Sequence, residues 1–195
     1  MTCFSEIYLS ETKAILEALS VRKIEEVVSG LASVRDGGGR LFIIGVGGSA
    51  AHASHAVNDF RKLCHFEAYT PTDNVSELSA RVNDEGWDTC FSKWLSGSRI
   101  CRNDALLVFS VGGGNVEKNV SVNIIKSIEL AKETGAKVFG IVGRDGGFTA
   151  RVADACVVIP PLSPERVTPH TEGLCAVVWH LLVSHPDLQR APTKW

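Results

Sequence analysis

The sequence predicts an α/β fold, a parallel sheet with helices on both faces, and three observations point to it. Three times, a short continuous apolar run ends in glycines and opens onto a helical pattern: "RLFIIGV", "ALLVFSVGGGN" and "KVFGIVGRDGG". None of these runs alternates apolar with polar residues, which is how strands covered on both faces read. Helical patterns separate successive runs, and a parallel pair needs such a crossover.

Taken in order, the chain opens with two helices. Ile7, Ile15, Leu16, Leu19, Ile24, Val27, Val28 and Leu31 recur at helical spacing between Phe4 and Val34, with a break near Leu19 to Val21. "DGGG", Asp36 to Gly39, closes the second helix. The first buried strand spans Arg40 to Val46, and the glycine turn after it starts a helix. "FEAYT" then reads as a strand, followed by helical stretches Val75 to Val82 and Trp87 to Ser98 separated by "NDEG". The second glycine-ended strand, Ala105 to Asn115, precedes the long helical pattern "VEKNVSVNIIKSIELAKETGA". The third, Lys137 to Gly147, precedes a short helix. A last strand, "ACVVIPP", leads to a C-terminal helix running through His180. The segment 186–195, "PDLQRAPTKW", has no apolar period and is expected to be loosely held. The 195 residues suit one domain, 1–195.

Composition narrows the partners. With 20 Lys+Arg against 22 Asp+Glu and no block of like charge, neither nucleic acid nor an anionic membrane is the expected partner. No stretch approaches the roughly 18 apolar residues of a membrane span, and residues 1–10 lack a basic region followed by an apolar run. The expectation is a soluble, cytoplasmic protein that acts on a small molecule. Its six cysteines, scattered without a C-x-x-C pair, read as reduced thiols, mostly buried.

The glycine turns "GVGGS", "SVGGGN" and "GRDGG" fall at the C-terminal ends of three strands, the edge where open α/β sheets bind ligands. A glycine turn that opens a helix presents unpaired N–H groups to an anion, although any one such turn is more often just a turn. Gly45, Gly47 and Ala50 also fit the dinucleotide fingerprint G-x-G-x-x-G/A, with Glu67 near the acidic position. Against nicotinamide binding, little chain is left to form the second region that a dehydrogenase adds for its substrate.

Polar side chains cluster after the first turn. His55 and Asp59, four residues apart on a helix, project from one face and can share a metal, or form an ordinary solvated pair. Glu172 and His180 stand in the apolar run "LCAVVWHLL" or just before it. Eight residues of helix rise about 12 Å, so these two meet one ion only with extended side chains, or if the helix starts after Glu172.

Together these residues resemble the sugar isomerase (SIS) domain family, and within it the sedoheptulose 7-phosphate isomerases, also called phosphoheptose isomerases. The resemblance covers nearly the whole chain. It rests on "GGS" followed by His55 and Asp59, "ND" at Asn83 and Asp84 before "EGWDTCFSKWL", "GRDGG", and Glu172 eight residues before His180. It implies a three-layer α/β sandwich with a five-stranded parallel sheet, the SIS fold. It also implies a homotetramer with active sites at subunit interfaces, residues 1–35 serving in oligomerisation. The implied reaction converts sedoheptulose 7-phosphate into D-glycero-D-manno-heptose 7-phosphate. By position, Gly47, Gly48 and Ser49 match residues that bind the sugar phosphate, as do Ser110, Val111, Gly112 and Asn115 in the second turn. Asn83 and Asp84 match residues that hold the sugar, and Glu172 is shared between substrate and metal. His55, Asp59, Glu172 and His180 match zinc ligands, with Asp59 and His180 also in acid–base positions. His52 matches no functional position, and a solvated or packed role is expected for it.

Three departures stand out. Asp59 replaces the family's usual Glu, and Glu172 its usual Gln, which leaves open whether Asp59 or Glu172 takes the substrate proton. The hydroxyl-rich loop Ser-Thr-Ser-Gly-Asn-Ser is here Ser110, Val111, Gly112, Gly113, Gly114, Asn115, so several phosphate-binding hydroxyls are missing. Backbone N–H groups of the glycine turn are the expected replacement, unless the substrate differs or its phosphate sits elsewhere. The alternative to an isomerase is a non-catalytic SIS module that senses a sugar phosphate or binds a protein. The four metal-capable groups argue for catalysis.

Overall fold

The structure, a computed structural model, describes residues 3–193. Five strands, β1 (Leu41–Ile44), β2 (Ala68–Tyr69), β3 (Ala105–Ser110), β4 (Lys137–Val142) and β5 (Ala155–Val158), form one sheet. Their order is β2-β1-β3-β4-β5 and every pairing is parallel. Leu41 lies opposite Ala105, and Ala105 opposite Lys137, so the three longest-paired strands start level and end at one edge.

Eight helices accompany them: α1 (Phe4–Ala18), α2 (Val21–Asp36), α3 (Gly48–Cys64), α4 (Val75–Glu85), α5 (Cys90–Gly97), α6 (Val122–Glu133), α7 (Gly147–Val152) and α8 (Val167–Ser184). Successive strand residues point to opposite faces. Leu41, Ile43, Leu107, Phe109 and Ile141 pack in one core with α2, α3 and α8. Phe42, Ile44, Leu106, Val108 and Val138 pack in a second core with α5 and α6. With helices on both sides, no strand position needs a polar residue, and the expected three-layer sandwich with a five-stranded parallel sheet follows.

The predicted helical break falls where α1 ends at Ala18 and α2 begins at Val21, because the Ser20 hydroxyl caps α2 by accepting from the Lys23 N–H. Helix α1 buries only Ile15, while Phe4 and Leu9 are 65% and 67% exposed. It is fastened by one polar clamp: Glu11 accepts from the Arg166 guanidinium at 2.8 Å through each oxygen, and lies 2.9 Å from Nε2 of buried His170.

Other stretches depart from the sequence pattern. Helix α4 continues through Asn83, Asp84 and Glu85 and stops at Gly86, whose φ of 82° breaks it. Helix α6 starts at Val122 rather than Val116, since Asn115 and Val120 exchange two backbone hydrogen bonds of 3.0 Å and close residues 115–120 into a turn. The Asn115 side chain accepts from the Lys118 N–H, a local bond that competes with helix. The C-terminal segment, expected to be loose, is pinned as far as Ala191. Leu188 is fully buried, Arg35 donates to the carbonyls of Asp187 and Leu188, and the N–H groups of Arg190 and Ala191 donate to the Leu63 carbonyl. A single leucine and backbone bonds do this, and neither leaves a periodic signal; residues 194–195 lie outside the described residues.

All six cysteines are free thiols and four are buried, as expected. Burial pushes the Cys64 and Cys156 thiols up to about 12, so neither is a nucleophile at neutral pH. Among the described residues, no helix is long and apolar enough to cross a membrane.

Candidate active site

Strand order decides where a ligand fits. The connection from β1 leads outward to β2, whereas that from β3 leads the other way to β4, so the loops after β1 and β3 diverge and leave a crevice. A cavity of about 1110 Å³ opens at this edge, lined among others by Val46, Ser49, Ser110, Val111, Gly112, Gly114 and Asn115. The expected second-turn residues therefore all face it. Of the first turn, buried Ser49 lines it, while Gly47 and Gly48 shape the chain behind.

Each turn is built by close backbone approach. At Gly48 an added Cβ would stand 2.7 Å from a Glu172 carboxylate oxygen, so the absence of a side chain lets α8 meet the start of α3. At Gly113, with φ of 66°, a Cβ would collide with the Gly146 carbonyl. The Gly113 carbonyl accepts from both the N–H and hydroxyl of Thr149, and the Gly114 carbonyl accepts from the Phe148 N–H. The Gly113 N–H is itself spent on the Ser110 hydroxyl at 3.0 Å. The second and third glycine turns are thus locked together, with the N–H groups of Gly112 and Gly114 left unpaired among the described residues.

Further along, where α3 packs on α8, His55, Asp59 and His180 converge with one ligand atom of each within 4.8 Å of the others, although none of the three lines the cavity. Asp59 Oδ2 lies 3.7 Å from His55 Nε2 and 4.0 Å from His180 Nε2. The carboxylate is nearly buried, and its Oδ1 accepts from the Asn58 amide at 2.8 Å. His180 Nδ1 is 2.8 Å from the Ala176 carbonyl, which can only accept; Nδ1 therefore donates to it, and Nε2 is the ring nitrogen that faces Asp59. The His55 ring packs edge-on against the buried Trp179 ring at 4.8 Å. Both histidines keep about half of their side-chain surface exposed, 57% and 50%. Two imidazoles and one carboxylate form a donor set that suits zinc or another divalent transition metal.

Glu172, expected as the fourth ligand, does not join this group. It sits two helical turns nearer the start of α8, against Gly48, because α8 begins at Val167 and keeps Glu172 and His180 on one continuous helix. His52, expected to be solvated or packed, is half-buried near Glu172, His55 and His180. Burial lowers its pKa from the ordinary imidazole value; the Glu172 carboxylate works against this and the other two histidines add to it. Asn83 and Asp84 lie exposed near the end of α4, where the Asn83 amide donates to Asp84 at 2.7 Å. Neither lines the cavity of its own chain.

Five polar cavity residues were not among the sequence candidates: Lys118, Ser121, Arg144, Asp145 and Thr168. Arg144 stands inside the "GRDGG" turn, and a cation two residues after a buried strand was the available signal.

The chain matches the SIS domain over residues 7–143. A phosphoheptose isomerase of Aneurinibacillus thermoaerophilus is 30% identical over 167 residues, covering 83% of this chain and 79% of the relative. The lincomycin biosynthesis protein LmbN of Streptomyces lincolnensis is 36% identical over 159 residues, covering 76% of this chain but 56% of that protein. In fold, the chain is similar to phosphoheptose isomerase GmhA from Neisseria gonorrhoeae, with a TM-score of 0.78 at 24% identity over 91% of this chain and 93% of the other.

Proposed function

The chain belongs to the SIS domain family, and we propose that it is a sedoheptulose 7-phosphate isomerase, converting this ketose phosphate into D-glycero-D-manno-heptose 7-phosphate. The observation that carries the proposal is the convergence of His55, Asp59 and His180 on the helix pair whose starts, at Ser49 and Thr168, line a cavity large enough for a phosphorylated sugar, in a chain related to phosphoheptose isomerases.

The interconversion moves one proton between neighbouring carbons. A base takes the proton from C1 of the ketose while the C2 carbonyl oxygen gains one, giving an enediol; return of a proton to C2 and loss of one from the C1 hydroxyl yields the aldose. Asp59 Oδ2 takes and returns the carbon-bound proton. His180 exchanges the oxygen-bound proton at Nε2, the only ring nitrogen free to do so, since Nδ1 is held by the Ala176 carbonyl. Asp59 is nearly buried, and the Asn58 amide fixes which oxygen faces the histidines.

His55, Asp59 and His180 would hold a zinc ion, three protein ligands with an open position, which is the arrangement of catalytic rather than structural zinc; His180 Nε2 would then be a ligand, and its part at the substrate oxygens would pass to the ion. Such an ion supplies electrophilic polarisation of the carbonyl and enediolate oxygens. Ser49 and the glycine turn after β3 face the phosphate end. We take the working assembly to be a homotetramer: the apolar surface of α1 needs a partner, and Asn83 and Asp84 reach a sugar only across a subunit boundary.

Asp59→Asn and His180→Ala variants test the assignment. Both are expected to stay folded and to lose on the order of 10²-fold or more in turnover of sedoheptulose 7-phosphate. Full turnover in either folded variant contradicts it.

A further inference from the structure

Two cations line the cavity beside the second glycine turn: Arg144, from the loop after β4, and Lys118, from the closed turn before α6. Neither enters an ion pair among the described residues. Arg144 is held with a left-handed backbone, φ 52°, a conformation that a side-chain-bearing residue keeps only where its surroundings enforce it. Its side chain crosses the turn: a Cβ on Gly112 would stand 3.6 Å from Arg144 Cδ and 3.9 Å from Nε. The neighbouring Asp145 also lines the cavity, but its carboxylate is folded back to accept from the Gly147 N–H at 3.2 Å. The unpaired N–H groups of Gly112 and Gly114 belong to the same turn.

A phosphate monoester is a dianion with three acceptor oxygens. A guanidinium over bare backbone N–H groups is a good match for it, presenting a planar fork of donors and a fixed charge. We propose that Arg144, assisted by Lys118, grips the substrate phosphate over the Gly112–Gly114 turn, so that fixed charge takes over from the hydroxyls missing from this loop. The inference rests on the reading that the chain acts on a sugar phosphate. The phosphate is remote from the reacting carbons and is held equally before and during the chemical step. Loss of the grip therefore raises KM and leaves kcat nearly unchanged.

The test is calorimetric titration of wild type, Arg144→Gln, Arg144→Lys and Lys118→Gln with inorganic phosphate and with sedoheptulose 7-phosphate, at low and high salt, beside steady-state kinetics. Arg144→Gln is expected to weaken both ligands by roughly tenfold or more, the loss of a charge-assisted bond, with Arg144→Lys intermediate. Salt is expected to weaken wild type more than Arg144→Gln. Arg144→Gln binding within twofold of wild type overturns the proposal, as does a loss that falls on kcat with binding intact, or wild type that binds neither ligand. Wild type that binds the sugar phosphate without isomerising it contradicts the isomerase reading alone.

Discussion

At the residue scale, the pair His55 and Asp59 was legible because helical geometry puts positions four apart on one face whatever the rest of the fold does. Their meeting with His180 was not, since it depends on how α3 packs on α8. The same limit left open where Glu172 falls, and the structure sets it against Gly48 rather than among the donors. This placement makes Glu172 separable from Asp59. Zinc content by elemental analysis is expected to stay near one ion per chain in Glu172→Gln and to fall well below it in Asp59→Asn. Equal loss in the two variants would put Glu172 back in the ligand set.

At the scale of elements, strands and helices were read from apolar runs and helical periods, and their boundaries shifted where local polar bonds intervened. The Asn115 side chain delays α6, and the carbonyls of Asp187 and Leu188 tie the C-terminal segment to Arg35. The Glu11 clamp on α1 is another such bond, and its partners are too distant in sequence to be paired by inspection. Hydrogen bonds from Arg166 first, then from His170, hold the Glu11 carboxyl at about 2 against an ordinary 4.5. A carboxyl depressed on folding adds stability that is complete above its unfolded value and is lost as pH falls through the folded one. The stability from this clamp is therefore present above pH 4.5 and disappears toward about pH 2. Thermal melts are expected to show Glu11→Gln below wild type at neutral pH, with the gap closing as the pH is lowered across that window. A gap independent of pH would mean that Glu11 acts by packing alone.

For the whole molecule, class and sheet were legible because strands covered on both faces cannot hide their composition, and the three strand–turn–helix cycles place the glycine turns at one edge. What a single chain's sequence does not show is where its exposed groups go. Phe4 and Leu9 on α1, half-exposed His55 and His180, and solvent-facing Asn83 and Asp84 are the groups that a second copy would cover in the proposed assembly. Mixing inactive Asp59→Asn with inactive Asp84→Asn, after reversible dissociation, is expected to restore part of the activity, because hybrid assemblies contain sites with neither substitution. No recovery in mixtures shown to exchange subunits would confine each site to one chain.

The proposed reaction interconverts a ketose phosphate and its aldose through residues arranged around a divalent metal. The direct measurement follows sedoheptulose 7-phosphate and D-glycero-D-manno-heptose 7-phosphate by proton NMR in deuterated water, with native protein, chelated protein, and chelated protein resupplied with zinc. The account predicts interconversion with solvent deuterium entering the C1–C2 unit, lost on chelation and regained with zinc. Bound sugar phosphate that stays unchanged and undeuterated in every arm would contradict it, and would leave a binding module in place of an isomerase.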